Sequence, residues 1–341
     1  MVTTREAQIQ KALFNGATLR LENPLYFRSV RNLLKELLDS DLGAGDFSAQ
    51  CLQLEADQAG ASAAVIAKSS GVAAGLCEFA WLYGRGGMTV QLRKKDGDAV
   101  DRGDTLLEMQ GRRGELLAYE RVGLNLVQRM SGIATATRRS QDRVHKINPG
   151  AQVVATRKTP WGLLDKRAVH LGGGGTHRLG LWDAIMVKNN HLALLADREE
   201  EAVGIAAQRA WAFRDKATFL EIEVRSLASA VAAARAFREL QRTESESEPA
   251  ACPCLLLLDN MAPQEMSRVS DALRAENLLD HVLLEASGNV TEDNLEAYAS
   301  CGIDAISMGA LTHSARALDL SQTLFSSAFR NATHTAVLSE K

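Results

Sequence analysis

Residues 218–240 read TFLEIEVRSLASAVAAARAFREL, an apolar strand-like run followed directly by an alanine- and leucine-rich helical pattern. Alternating strands and helices predict βα units and a parallel sheet, in an α/β barrel or a doubly wound sheet. No G-x-G-x-x-G motif opens a helix after the first strand, which disfavours the nucleotide-binding doubly wound form. The strand-like runs of this half of the chain are AQVVAT (151–156), DAIMVK (183–188), TFLEIEV (218–224), CLLLLDN (254–260), HVLLEAS (281–287) and DAISMG (304–309).

Towards the N-terminus the pattern changes to short strands separated by turns. Helical spacing predicts a helix over 25–38 that begins at Asn23-Pro24, and a long or broken helix over 114–147. Between them, the runs AAVIAKS (63–69), MTVQLRK (88–94) and TLLEMQG (105–111) indicate strands of a small mixed α/β domain. In the second half, the charged run RTESESEPAACP at 242–253 predicts an exposed loop.

The composition excludes several classes of protein. The 341 residues carry 39 Lys+Arg against 42 Asp+Glu, a net charge of −3, whereas a nucleic-acid-binding domain is normally basic. The five cysteines form no C-x-x-C pair, which indicates reduced intracellular thiols. Neither a signal peptide nor an apolar run of transmembrane length is visible. We therefore expect a soluble cytoplasmic protein with no nucleic-acid or membrane partner.

Polar and glycine-containing clusters end each of the six strand-like runs. Residues at the carboxyl ends of barrel strands build active sites, so these clusters predict a catalytic face. Five cations near the early strands predict a ligand with several negative charges, because arginine and lysine bind carboxylates and phosphates. Surface cations paired with helix acids are the alternative. The cations are Arg157, Lys158, His177, Arg178 and Lys188.

A run of four glycines, Gly172 to Gly175, precedes His177 and Arg178. Such a run lets the backbone approach a ligand and deliver both side chains to it, unless it is only a flexible linker. Glu221 and Glu223 alternate along one strand and therefore share a face.

Together with Asp259, these two glutamates suit Mg²⁺ or ribose hydroxyls, although one glutamate could instead form a structural ion pair. The clusters Ser287-Gly288-Asn289 and Gly309-Ala310-Leu311 end the last two strands, where barrels commonly bind phosphate.

These segments together resemble the quinolinate phosphoribosyltransferase family, in the family's order and over about residues 25–325. The matching segments are DLGAGD (41–46), ERVGLNLVQRMSGIAT (120–135), ATRKT (155–159), KRAVHLGGGGTHRLGLWDAIMVKNNH (166–191), EIEV (221–224), LLLDNM (256–261), LEASGN (284–289) and GIDAISMGALTHS (302–314).

The resemblance implies an α/β protein with an N-terminal α/β sandwich domain and an incomplete, TIM-like α/β barrel. We expect the sandwich over 1–135, the barrel over 136–311, and a C-terminal segment, 312–341, that returns to the sandwich. It implies a homodimer with shared active sites, or a hexamer. The implied reaction joins quinolinate to phosphoribosyl pyrophosphate with Mg²⁺, giving nicotinate mononucleotide, CO₂ and pyrophosphate for NAD synthesis.

The resemblance also implies roles for individual residues. Lys158, Glu223 and Asp259 are the expected catalytic residues, and Glu223 and Asp259 the expected Mg²⁺ contacts, largely through substrate. Arg121 is expected to reach the active site of the other subunit. The full expected substrate-binding set is Arg121, Arg157, Lys158, His177, Arg178, Lys188, Glu221, Glu223, Asp259, Ser287, Gly288, Asn289, Gly309, Ala310 and His313.

Three departures from the family pattern concern the loop at 159–164, Thr176 in place of a common Asn, and Asn189 in place of a common Asp. Competing hypotheses are a phosphoribosyltransferase for nicotinate, a non-catalytic binding paralogue, and a barrel isomerase or aldolase for sugar phosphates. A substrate with two carboxylates requires more cations than one, so the cation count favours quinolinate.

Overall fold

The structure of the protein is a computed structural model, which describes residues 4–54, 60–243 and 252–325. Within these ranges the chain forms thirteen α-helices. They are α1 Arg5–Leu13, α2 Pro24–Leu42, α3 Phe47–Cys51, α4 Leu76–Arg85, α5 Arg113–Ala118, α6 Glu120–His145, α7 Leu163–Leu171, α8 Asn189–Leu192, α9 Glu199–Trp211, α10 Leu227–Arg242, α11 Pro263–Ala275, α12 Leu295–Ala299 and α13 Ala310–His313. None of these described helices is both long and apolar enough to cross a membrane.

The described residues also form twelve β-strands, which build three sheets. They are β1 Gly60–Ala67, β2 Gly71–Val72, β3 Thr89–Leu92, β4 Ala99–Val100, β5 Thr105–Arg112, β6 Gln152–Val154, β7 Ile185–Val187, β8 Leu220–Val224, β9 Cys254–Asp259, β10 Leu283–Ser287, β11 Ala305–Ser307 and β12 Leu320–Phe325. All six strands predicted for the second half are therefore confirmed.

The second half is a parallel α/β barrel that is incomplete. Its sheet has the order β6-β11-β10-β9-β8-β7, and every pairing in it is parallel. A single parallel bridge joins Val154 of β6 to Gly175, so the last glycine of the run lies beside the first strand. Strands β8 and β9 are almost entirely buried because helices cover a parallel sheet.

Helix α1 belongs to this barrel unit. Its buried residues Ile9, Ala12 and Leu13 pack in one core cluster with strand residues that include Val154 and Leu283. Arg5 makes a two-point ion pair with Asp304, at 2.6 and 2.5 Å, just before β11. The helix therefore lies across the barrel core, although its sequence precedes the first domain.

The other unit is built on a four-stranded antiparallel sheet of order β12-β1-β5-β3. The helix predicted over 25–38 is confirmed and extends to Leu42. Asn23 caps it through its side chain, which accepts hydrogen bonds from the amides of Leu25 and Tyr26, with Pro24 in the first turn. The helical pattern predicted over 114–147 is broken at Tyr119, between α5 and α6.

The two compact units are not continuous in sequence. One comprises residues 1–17, 137–160 and 173–314, and the other comprises 18–136, 161–172 and 315–341. Residues 1–17 thus group with the barrel, whereas the expected division put them in the sandwich. Strand β12, from the C-terminal segment, pairs with β1 from Ser62↔Phe325 to Ala67↔Leu320. Most of the 242–253 loop, residues 244–251, and the tail beyond 325 lie outside the described residues.

Candidate active site

The carboxyl ends of the barrel strands bring most of the predicted site residues to one end of the sheet. Arg157 and Lys158 follow β6, Lys188 follows β7, Glu223 ends β8 and Asp259 ends β9. Ser287 ends β10 and Gly309 follows β11 by two residues. Because all six strands are parallel, these positions share an edge of the barrel, and the predicted catalytic face has a single location.

The acidic side of this face consists of Glu223 and Asp259, and Arg225 forms an ion pair with each of them. The Arg225 guanidinium lies 3.8 Å from a Glu223 carboxylate oxygen and 3.6 Å from Asp259 Oδ2. Lys188 Nζ lies 3.6 Å from the other oxygen of Glu223. Asn189, one of the residues that depart from the family pattern, donates a hydrogen bond from its backbone amide to Glu223 over 3.2 Å. Cations that are about half exposed thus contact both carboxylates, of which Glu223 is itself buried.

The cationic side of the face includes exposed and buried groups. Arg157 and Lys158 are exposed, whereas Arg178 is only 6% exposed. Burial lowers the pKa of Arg178, and the nearby positive charge of Arg157 lowers it further. A site that holds two cations close together in partly dry surroundings favours an anion with more than one charge.

His177 is placed differently from the prediction. The glycine run was expected to deliver its ring to a ligand, but the side chain is buried among strands β8 and β10. Its Nε2 lies 3.2 Å from Glu221 Oε2 and 3.1 Å from Glu285 Oε2. Its Nδ1 accepts a hydrogen bond from the backbone amide of Arg178 over 2.8 Å. Both ring nitrogens therefore face protein groups.

The backbone at His177 has a left-handed conformation with φ of 52°, which is uncommon for a residue other than glycine. Its amide donates to the carbonyl of Leu13 in α1 over 3.1 Å. Thr176, the second departure from the family pattern, is fully buried and donates to the same carbonyl over 3.3 Å. It also accepts from the amide of Asn15. Helix α1 therefore fixes the Thr176–His177 segment.

Glu221 and Glu223 both lie in β8, but their surroundings differ. Glu221 is fully buried beside His177, whereas Glu223 reaches the edge where Lys188 and Arg225 lie. The alternative that one of the two glutamates is structural therefore fits Glu221.

The loops after β10 and β11 show close backbone approaches. A Cβ at Gly288 would lie 2.4 Å from Asn260 Oδ1, and its φ of 107° also requires glycine. Asn289 follows with φ of 49°. A Cβ at Gly309 would meet Lys158 Cδ at 3.2 Å, and Thr312 donates to the Lys158 carbonyl over 2.9 Å. Lys158 is thus held beside the loop that carries Gly309 and Ala310.

Two other predicted residues, His313 and Arg121, lie at the surface. His313 is exposed and its Nδ1 is 2.6 Å from Ser314 Oγ. Arg121 is exposed on α6, in the unit that contains the antiparallel sheet. The expectation that it reaches a second subunit stays a prediction.

In the loop at 159–164, which differs from the family pattern, Trp161 contacts Arg129 and Asp165 of the same unit. Arg129 makes a two-point ion pair with Asp165, at 2.8 and 2.9 Å, and lies over the Trp161 ring. Asp165 also accepts from the Trp161 amide over 3.0 Å. These contacts hold Trp161 at the start of α7.

Two residues of the site were missed from the sequence. Glu285, in the run HVLLEAS (281–287), was not assigned a role, because its pairing with His177 depends on which strands lie beside each other. Arg225 follows the EIEV run directly and could have been found as the only cation at that strand end.

Comparison with known proteins matches both parts of the chain to family models. Residues 46–131 match the model described as quinolinate phosphoribosyl transferase, N-terminal domain, and residues 133–323 match the C-terminal domain of the same description. The relative from Methanothermobacter thermautotrophicus named "Probable nicotinate-nucleotide pyrophosphorylase (carboxylating)" is 36% identical over 298 residues, which is 86% of this chain and 98% of that protein.

A second relative and a solved structure match the chain over most of its length as well. The chloroplastic carboxylating nicotinate-nucleotide pyrophosphorylase of Oryza sativa subsp. japonica is 35% identical over 88% of this chain and 78% of its own length. The crystal structure of NadC from Streptococcus pyogenes superposes with a TM-score of 0.73, at 33% identity, over 88% of this chain and 97% of that one.

Proposed function

The chain belongs to the quinolinate phosphoribosyltransferase family, and we propose that the strand-end face of its barrel carries out the family's reaction. The enzyme transfers the phosphoribosyl group of phosphoribosyl pyrophosphate to quinolinate. It releases CO₂ and pyrophosphate and forms nicotinate mononucleotide for de novo NAD synthesis. The observation that carries this proposal is the division of one barrel edge into a cationic side and an acidic side.

The cationic side binds quinolinate. Arg157, Arg178 and Lys188 face a substrate with two carboxylates, and a dianion relieves the repulsion that lowers the pKa of Arg178. The same cations stabilise the negative charge that develops on the ring carbon as CO₂ leaves. A non-catalytic paralogue would be expected to lose some of these groups, and none of them is lost.

The acidic side holds the ribose and Mg²⁺. Glu223 and Asp259 offer hard oxygen ligands, which fit Mg²⁺. Two carboxylates are too few for a complete Mg²⁺ site, so the diphosphate oxygens of the substrate would supply the remaining ligands. When bound, the ion supplies positive charge at the departing pyrophosphate. Before the ion binds, the positive charge of Arg225 partly neutralises the two carboxylates.

The loops after β10 and β11 hold the 5′-phosphate. Ser287, Gly288 and Asn289 form one wall, and Gly309, Ala310 and His313 form the other, with Lys158 beside them. The helix that follows Gly309 has only four residues, so its dipole contributes little. Phosphate binding rests instead on the backbone amides of the Ser287–Asn289 turn, whose positive φ at Gly288 requires glycine, and on the charge of Lys158.

Two further proposals concern the whole protein. The enzyme works as a dimer in which the partner subunit's Arg121 completes the cationic side, or as a hexamer. It works in the cytoplasm, in keeping with its cysteines, all five of which are free thiols.

Substrate choice tests the proposed binding mode. We expect kcat/KM for quinolinate to exceed that for nicotinate by at least ~100-fold, because nicotinate leaves part of the cationic side, which includes the buried Arg178, without a partner. The control is Arg235→Gln, which removes an exposed cation of α10 that pairs with Glu276 away from the site. Equal values for the two acids would contradict the assignment of the cationic side.

A further inference from the structure

Asn260, which directly follows Asp259 at the end of β9, is a residue of the barrel edge to which the proposed reaction assigns no role. Its backbone is left-handed, with φ of 54°, and the residue is exposed. Asparagine tolerates this conformation better than most residues other than glycine, because its short polar side chain can form local hydrogen bonds. The contacts of this side chain therefore indicate why asparagine stands here.

One end of the side chain contacts the carboxylate of Asp259. Asn260 Nδ2 donates a hydrogen bond to Asp259 Oδ2 over 3.0 Å. Because a carboxylate only accepts hydrogen bonds, the amide group must turn its NH₂ end towards Asp259. The same oxygen lies 3.6 Å from Nε of Arg225. Asn260 therefore helps to orient the carboxylate that we assign to ribose and Mg²⁺.

The backbone and the other end of the side chain contact the turn Ser287–Asn289. The amide of Asn260 donates to the carbonyl of Ser287 over 2.9 Å, which extends the pairing of β9 with β10 by one residue. Asn260 Oδ1 lies so close to Gly288 that a Cβ there would come within 2.4 Å of it. Asn260 therefore contacts both Asp259 and the turn that is proposed to bind the 5′-phosphate.

All three carbonyl groups of this turn accept hydrogen bonds from the protein. The carbonyl of Ser287 accepts from the amide described above. Tyr298 Oη donates to the carbonyl of Gly288 over 3.4 Å, and Asn294 Nδ2 donates to that of Asn289 over 3.1 Å. The amides of Gly288 and Asn289 donate to no group within the described ranges. With its carbonyls bound to protein donors, the turn keeps these amides for an anion.

We propose that Asn260 is a positioning residue that couples the two ends of the phosphoribosyl site, the Asp259 carboxylate and the Ser287–Asn289 turn. Its Nδ2 orients the carboxylate, and its backbone amide and Oδ1 hold the turn beside it. A ribose 5-phosphate unit carries its hydroxyls and its phosphate at a limited separation, so it binds well where both partners are positioned together. The inference rests on the proposed function of this barrel edge.

The kinetic test replaces Asn260 by glycine. Asn260→Gly keeps the left-handed backbone and the amide donor, and it removes only the side chain that contacts Asp259 and Gly288. The KM for phosphoribosyl pyrophosphate should rise ~10-fold, which is the effect of losing one hydrogen bond to a charged group. The KM for quinolinate should stay unchanged, because the cationic side is not touched.

Asn277→Gly is the matched control. Asn277 is also exposed and left-handed, with φ of 55°, but it lies before β10, at the strand end opposite to Ser287. Its side chain has no hydrogen-bond partner among the described residues. Both glycine variants should therefore shift the melting temperature about equally, and the control should leave both KM values unchanged.

A binding measurement separates positioning from catalysis. Ribose 5-phosphate carries the hydroxyls and the phosphate but no diphosphate, so it binds without turnover. In calorimetric titrations, Asn260→Gly should weaken its binding ~10-fold, for the same lost hydrogen bond. The affinity for inorganic phosphate should fall less, because this smaller anion contacts the turn without Asp259.

The possible results separate this inference from the proposed function. If Asn260→Gly behaves like Asn277→Gly in KM and in ribose 5-phosphate affinity, or raises the KM for quinolinate as much, Asn260 is not a positioning residue. An equal loss of affinity for inorganic phosphate would mean that Asn260 supports the turn alone, which would overturn the coupling. Wild-type protein that binds no ribose 5-phosphate would contradict the proposed function itself, and this inference with it.

Discussion

The carbonyl oxygen of Leu13, at the end of helix α1, accepts a hydrogen bond from the backbone amide of His177 over 3.1 Å. A helix near the start of the chain thereby supports the segment that carries Arg178. Because Ile9, Ala12 and Leu13 are also buried in the barrel core, this contact links core packing to the active-site edge.

The first prediction concerns that helix. Leu13→Ala should lower the free energy of unfolding by about 3 kcal/mol, as other large-to-small core changes do. It should also raise the KM for quinolinate more than that for phosphoribosyl pyrophosphate. Thermal and urea unfolding, with steady-state kinetics, check both. Leu273→Ala on α11 is the control, because Leu273 is equally buried but does not contact the His177 segment. Equal KM changes in the two variants would assign α1 a role in stability only.

The second prediction concerns Arg225, which lies between Glu223 and Asp259 and is 51% exposed in its side chain. Arg225→Gln removes a cation that competes with Mg²⁺ for the two carboxylates. The Mg²⁺ concentration for half-maximal rate should therefore fall by about threefold, a modest change that suits a solvent-screened charge. Quinolinate KM should stay constant, as it should in the Arg235→Gln control. A higher Mg²⁺ requirement would mean that Arg225 itself contacts the diphosphate.

The third prediction tests the shared active site. Arg121→Ala and Lys188→Ala should each be nearly inactive as pure dimers. After denaturation of equal amounts, mixing and refolding, about half of the dimers are mixed and each has one intact site, so activity should return to about a quarter of wild type. Each variant refolded alone is the control. If mass spectrometry shows mixed dimers but no activity returns, Arg121 does not act across the interface.

The fourth prediction concerns pH and stability. Burial lowers the pKa of His177, but the carboxylates of Glu285 and Glu221 raise it to about 9 in the folded protein. The cluster of these three residues therefore holds a proton that an unfolded histidine loses near pH 6.5. This stabilisation is complete below pH 6.5 and is lost as the pH rises towards 9. Melting temperature should therefore fall between pH 6.5 and 9. The fall should be smaller in Glu285→Gln, where one carboxylate is gone. Parallel curves for the two proteins would exclude the cluster as the cause.

The sequence predicted the parts of the fold that depend on local patterns. Six short apolar runs gave the strands of the barrel, and the polar residues that end them gave the active-site edge. Asn23-Pro24 gave the start of α2 because capping is a local interaction.

The rest depends on contacts between segments that are distant in sequence. The direction of the His177 ring is set by Glu221 and Glu285, which lie 44 and 108 residues away. Helix α1 carries only a few apolar residues, so its place in the barrel core was not visible from its pattern. Thr176, which departs from the family pattern, hydrogen-bonds with Leu13 and Asn15, and only the fold brings these residues together.

The most direct test of the proposed reaction is to identify which carboxylate of quinolinate is released as CO₂. Quinolinate labelled with ¹³C in the carboxylate beside the ring nitrogen is incubated with the enzyme, phosphoribosyl pyrophosphate and Mg²⁺, and gas and nucleotide are analysed by mass spectrometry. If the strand-end face of the barrel carries out the proposed reaction, we expect labelled CO₂ and unlabelled nicotinate mononucleotide in equal amounts. It also predicts that both products are lost together in Lys188→Ala. A nucleotide that keeps the label, or no nucleotide at all from the wild-type protein, would contradict the account.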